Sequence, residues 1–317
     1  MFRSMIRVMY RAIFACLLLI PFSAAQQPNP PRTYPPGSPQ DLVQQGVKLN
    51  SQGKQDEALA LYKQAMEKAP NLYEAHLETG IALDLKGNYD EARKHLDKAI
   101  DLADPDNKAQ ALRTMAFSYA FEGKADKASH YEKLVFDDRV AHTEWQAAAE
   151  ICNELARIYL ESGDANNASK WYKKGYETID RKRELSDADK SLWLFRWESA
   201  QARVAVRRGD AAAAQQHLVA AKTALDSANN PDQMRFYPYL TGYVAFYTGN
   251  YTTAISELQK ADQHDPLILA LLGEAYEKSG DAAQAKNYYQ KVLEVNAHNP
   301  TNAWARPLAK KKLAAGA

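Results

Sequence analysis

The chain has 317 residues, 46% of them hydrophobic and 25% charged, with 40 Lys and Arg against 39 Asp and Glu. That composition is ordinary for a folded globular protein, and a net charge of +1 excludes a broad electrostatic footprint for nucleic acid. Two cysteines exclude a disulfide scaffold and a Cys-rich zinc fold.

Residues 1–25 carry Arg3, Arg7 and Arg11 without an acid, then a short apolar core from Ala12 to Ile20 that Pro21 breaks. Ser23 and Ala25 supply small residues before Gln26. This is the pattern of a secretory signal peptide. The core is too short to cross ~30 Å of hydrocarbon as a helix, which argues against a retained anchor. Phe14, and an apolar run that continues past Cys16, argue against a lipid-modified cysteine. Cleavage removes three arginines, leaving 37 basic against 39 acidic residues, and leaves Cys152 as the only thiol. The expected setting is exported, periplasmic or extracellular, with no membrane span after cleavage. Residues 26–40 hold six prolines, which fix φ and remove donors, so this stretch reads as an extended linker.

Over residues 41–300 helical periodicity dominates and strand-like alternation is missing. Glycines at 53, 87, 123, 163, 209, 249 and 280 are each followed five residues later by alanine. Their spacings are 34, 36, 40, 46, 40 and 31 residues. Small residues precede the turn in helix A, as at Gly46, Gly80, Gly242 and Gly273, and large ones follow in helix B, as at Tyr62, Leu96, Tyr172 and Tyr289. Asn88, Asp164, Asp210, Asn250 and Asp281 follow the turn glycines and are expected to cap helix B. Residues 301–317 read as a capping helix and tail, with Trp304 and Leu308 facing the last repeat and Lys310, Lys311 and Lys312 facing water. Pro307 predicts a kink in it or a late start.

This skeleton of small residue, large residue, turn glycine and alanine resembles the tetratricopeptide repeat (TPR) family, whose unit is a helix-turn-helix of 34 residues. The resemblance covers seven copies and implies an all-α, right-handed α-solenoid of about seven units with a C-terminal capping helix. It also implies a non-catalytic scaffold whose concave groove, lined by the first helix of each unit, holds a protein or peptide partner. By register the groove residues are Arg113, Phe117 and Phe121 in copy three, and Asn153, Arg157 and Glu161 in copy four. Copy five offers Arg196, Arg203 and Arg207, and copy six Phe236, Tyr239, Tyr243 and Tyr247. The chaperone-binding members grip an acidic tail with polar and basic residues in copy one. Val43 and Val47 stand there in this chain, which excludes that ligand.

No chemistry competes with the scaffold reading. The seven histidines lack metal-binding helical spacing, and no nucleophile elbow or phosphate-cradling glycine loop occurs. Neither catalytic residue, cofactor nor metal is therefore expected, and Cys152 is expected to be a small buried hydrophobe. Two other functions remain open. One is a carbohydrate or small-ligand binder using the aromatic cluster FYPYLTGYVAFYTGNY of copy six; the other is an accessory subunit of an enzyme complex.

Overall fold

The computed structural model describes residues 34–316, so the leader-like segment and most of the proline-rich stretch lie outside the described residues. Among them every regular element is helical. Seven antiparallel hairpins follow in order. They are α1 (Pro39–Ser51) with α2 (Gln55–Lys68), α3 (Tyr73–Lys86) with α4 (Tyr89–Leu102), and α5 (Pro105–Phe121) with α6 (Ala125–Ala141). Then come α7 (Trp145–Glu161) with α8 (Ala165–Ile179), and α9 (Asp187–Arg207) with α10 (Ala211–Ala228). After the single turn α11 (Pro231–Met234) come α12 (Tyr237–Tyr247) with α13 (Tyr251–Leu258) and α14 (Pro266–Ser279) with α15 (Ala282–Glu294). The last helix is α16 (Pro300–Ala314). The fold is the expected α-solenoid of helix-turn-helix units. The long intervals between turn glycines in the middle arise from a 21-residue α9, an 18-residue α10 and the inserted α11.

The turn glycines work as their spacing predicts. All seven take positive φ, from 70° at Gly123 to 97° at Gly87. At Gly87 the left-handed backbone lets its own N–H close on Leu83 O and Asp84 O, which ends α3. The alanines five residues on, Ala58, Ala92, Ala128, Ala168, Ala214, Ala254 and Ala285, are buried against the partner helix. Asp164, Asp210, Asn250 and Asp281 each accept a hydrogen bond from the backbone N–H three residues later. Asn88 does not cap: its side chain makes no such bond, and Asp90 and Glu91 supply the negative charge at the start of α4 instead.

Three expectations at the ends are corrected. Pro39 and Gln40 belong to α1 rather than the linker, because proline is tolerated at the first helical position and Ser38 caps Asp41 N–H. Of the two outcomes expected of Pro307, the late start does not occur: α16 starts at Pro300 and includes Pro307. Lys310 and Lys312 do not simply face water. Lys310 Nζ donates to Leu85 O at 3.2 Å and Lys86 O at 2.9 Å, and Lys312 pairs with Glu277 at 2.7 Å.

The lysine contacts belong to a larger feature. The chain from Val295 through α16 crosses back to the first units and closes the array on itself. Asn296 Oδ1 accepts from Gln55 Nε2 at 2.9 Å, and His298 Nε2 lies 2.9 Å from Asp84 Oδ2, whose other oxygen accepts from Ser118. Arg306 Nε donates to Leu85 O at 2.9 Å and its Nη1 to Leu293 O and Val295 O. Arg306 and Lys310 thus satisfy the last carbonyls of α3, which no residue of the helix itself can reach.

Two measurements check this architecture. Alanine in a helix interior normally gains about 1 kcal/mol over glycine. At Gly242, however, a Cβ would fall 2.6 Å from Leu258 Cγ and 3.0 Å from Leu258 N, so overpacking of about 1–3 kcal/mol decides the sign. Gly242→Ala is expected to lower the denaturant midpoint. Arg306→Met takes a donor from three carbonyls, of which Leu85 O keeps Lys310, Val295 O keeps Asn302 and Leu293 O is left bare; it is expected to cost about 1–3 kcal/mol, with amide protection lost together in α16 and the end of α3 under hydrogen exchange.

Candidate functional site

The first helix of each unit faces inward, and its exposed side chains fall into two regions. Across the first three units α1, α3 and α5 form a groove with the 296–298 segment as its far wall. Val47, Asn50, Glu78, Ile81, Gln110, Arg113, Thr114, Phe117, Asn296 and His298 line about 710 Å³, part of it open to solvent. Asn50 Oδ1 has no hydrogen-bond partner there. Glu78 is buried, and burial first, with Glu74 second, pushes its carboxyl up to about 7.

Beside the groove Arg113 grips Glu154 with two bonds, Nε to Oε2 at 3.1 Å and Nη2 to Oε1. Such a bidentate pair fixes Arg113 in place. Glu132 is fully buried next to it with neither carboxylate oxygen paired, and burial holds its carboxyl well above the usual range. Cys152 is fully buried in α7, as expected, and burial pushes its thiol up to about 12. That leaves it a thiol at neutral pH rather than a nucleophile.

Across units four to six the inner face is a cluster of arginine and tyrosine. Arg207 Nη1 donates to Glu161 Oε2 at 3.1 Å, Tyr243 Oη at 3.0 Å and Tyr247 Oη at 3.1 Å. Arg203 Nε donates to Ser199 O at 3.2 Å, and its Cζ lies 5.2 Å from the Tyr172 ring centroid. Arg157 Cζ lies 5.6 Å from the Tyr239 centroid. Arg196 stacks on Trp193 at 4.5 Å.

The residues expected in the groove are therefore brought onto the inner helices, but they do not share one exposed surface. Phe117 is 1% exposed, Arg203 5%, and Tyr243 fully buried. All three stand on the first helix of their unit. The curvature packs them against other units instead of leaving them open: Phe117 lies against the His298 ring, and the Tyr243 hydroxyl meets Arg207 at 3.0 Å and Glu161 at 3.5 Å. Arg113, Asn153, Arg157, Arg196, Arg207, Tyr239 and Tyr247 keep part of their surface. Phe236 stands just outside α12 as its N-cap, and Phe121 is buried against Leu85 and Ala303. Register alone misses Asn50 and Glu78, which lie in units one and two. It also misses Tyr172, which reads as filler between helix pairs.

Comparison with known proteins agrees with this geometry. Models of the tetratricopeptide repeat match residues 49–116 and 245–314, 149–178 and 198–220. The mouse Superkiller complex protein 3 is 26% identical over 261 residues; the match covers 80% of this chain and only 15% of that protein. A crystal structure of a tetratricopeptide repeat protein from Parabacteroides merdae shares the fold at a TM-score of 0.51 and 14% identity, over 87% of this chain and 98% of that one. Pseudomonas aeruginosa pilF superposes with a TM-score of 0.45 at 12% identity, over 80% of this chain and 96% of that one. No group of three or more His, Cys, Asp or Glu among the described residues could hold a metal ion. No helix among them is long and apolar enough to cross a membrane.

Glu78 gives the site a measurable pH signature. Its folded carboxyl titrates at about 7, above the ordinary 4.5, so between those values the folded chain holds a proton that the unfolded chain has released. Stability therefore falls as pH rises through that window. Glu78→Gln removes this contribution: the variant is expected to match the wild type near pH 4 and to exceed it by up to about 3 kcal/mol at pH 8 in denaturant titrations.

Proposed function

We propose that this chain, a tetratricopeptide repeat protein, is a non-catalytic scaffold that seats a protein or peptide segment in the inner groove of its first three units, in an exported setting. The groove itself supports the reading. Apolar Val47 and Ile81 lie beside Asn50, Gln110 and Thr114. Apolar surface with a few amides and hydroxyls suits an extended peptide, which brings both side chains and backbone polar groups. Asn50 Oδ1 is a buried acceptor without a partner among the groove residues. The basic, then apolar, then small-residue order of residues 1–25 supports export.

Crosslinking with mass spectrometry in the native host tests both parts. A partner peptide is expected on α1, α3 or α5. Val47→Glu places a charge in the groove and is expected to weaken that partner at least tenfold, about 1.4 kcal/mol. Equal recovery by wild type and variant would remove the groove from the proposal. The mature chain is expected to begin at Gln26 in an envelope or medium fraction, and an intact Met1 in the cytoplasm would remove export.

A further inference from the structure

The inner face of units four to six contains hydrogen-bond donors that nothing in the chain satisfies. Arg203 is 5% exposed, yet its Nη1 has no partner. Tyr172, 3% exposed, and the half-buried Tyr239 each carry a hydroxyl buried without a partner. The two rings stand beside the guanidiniums of Arg203 and Arg157, and the two arginines are close enough to repel. A buried donor without an acceptor is costly, and a charged one more so.

The neighbouring acids do not fill the gap. Glu161 is held by Arg207 at 3.1 Å and faces Tyr243. Asp265 caps α14 through Leu267 N–H at 2.9 Å and attracts Arg157 without a hydrogen bond to it. Three guanidiniums thus share two carboxylates, both already engaged. Arg157 and Tyr239 keep part of their surface, while Tyr239 Oη, Tyr172 Oη and Arg203 Nη1 are buried beneath it.

We propose that Arg157 and Arg203, with the hydroxyls of Tyr172 and Tyr239, form a binding site for a single oxyanion group, a phosphate or a carboxylate. A guanidinium presents paired N–H donors in the plane that such oxygens accept, and it sheds water more easily than an ammonium. The phenols add donors from the flanks. The two phenol oxygens could themselves accept a guanidinium N–H, but neither stands within hydrogen-bond distance of one, so the donors are left for a ligand to satisfy. This goes beyond the scaffold reading and holds whether or not a protein occupies the other groove.

The test is thermal unfolding of the full chain in inorganic phosphate and, separately, in succinate, at ionic strength held constant with chloride. Bound anion at ten times its Kd is expected to raise Tm by about 3 °C. A rise with phosphate alone assigns the site to phosphoryl groups, with succinate alone to carboxylates, and with both to either. Arg203→Met is expected to abolish the rise. Tyr239→Phe guards against a variant that fails to fold. It removes one unpaired hydroxyl, so without anion it is expected to be at least as stable as wild type, while its anion affinity falls about fivefold or more, the loss of one hydrogen bond to a charge. No rise with either anion, or equal rises in wild type and Tyr239→Phe, would overturn the proposal, the latter as a nonspecific salt effect.

Discussion

Close approach of the two helices in each hairpin is the constraint on which the rest of this structure depends. Gly46 lies beneath the Tyr62 ring, Gly80 beneath Leu96, Gly242 beneath Leu258 and Gly273 beneath Tyr289. A Cβ at these positions would come within 2.3 to 2.6 Å of the opposing side chain. Without it the large residue of the second helix fills the space over the first helix's backbone. That lock fixes the rotation of α1, α3, α12 and α14 about their own axes, and the buried Ala116, Ala156 and Ala202 stand at the same position of α5, α7 and α9. The same positions of successive helices then face inward, and residues far apart in the chain, such as Arg157, Arg203 and Tyr239, arrive at one place.

A stacked array of this kind normally has two free ends, each needing a polar cover. Here the C-terminal segment covers its own unit and also reaches the first three. Trp304 and Leu308 pack on the large core that runs from unit four to the end, while Ala303 joins Leu85 and Phe121. Burial pushes the Asp84 carboxyl up, and its bonds to His298 and Ser118 pull it back. The contact therefore combines apolar burial with a polar join that only one register satisfies. It also divides the concave side, so that the groove of the early units and the arginine cluster of the later ones are separate environments.

The repeat was legible because turn glycine and buried alanine are local requirements. A left-handed residue is needed wherever helix A stops, and a small one wherever helix B crosses it, whatever the rest of the molecule does. Helix assignment, unit number and inward register follow from them. The closure was not legible, because Arg306 and Lys310 find Leu85 and Lys86 across more than two hundred residues and look in sequence like any basic helix end. The candidate site was half legible for the same reason. Register placed Arg203 and Tyr243 on inner helices, but whether such a side chain ends in a groove or under a neighbour depends on curvature. A pattern of residue types does not carry curvature.

The inner arginines show most clearly what the fold adds to the pattern. Arg113, Arg157, Arg203 and Arg207 all stand on first helices of their units, Arg157 and Arg203 six residues before their turn glycines and the other two a turn of helix away from that position, and their surroundings divide them. Arg113 has Glu154, and Arg207 has Glu161 with two tyrosine hydroxyls. Breaking either pair strands a charge, so these two act as structure. Arg157 has a ring face and the attraction of Asp265, and Arg203 a ring face and the Ser199 carbonyl, but neither has a carboxylate within hydrogen-bond distance. A cation over an aromatic face recovers about 0.5–2 kcal/mol, less than the several kcal/mol that desolvating a charge costs. The array folds in spite of this deficit because the hairpin contacts around it supply the stability. This pair, with no carboxylate bonded to it, is thus the part of the inner face where an arriving anion has most to gain.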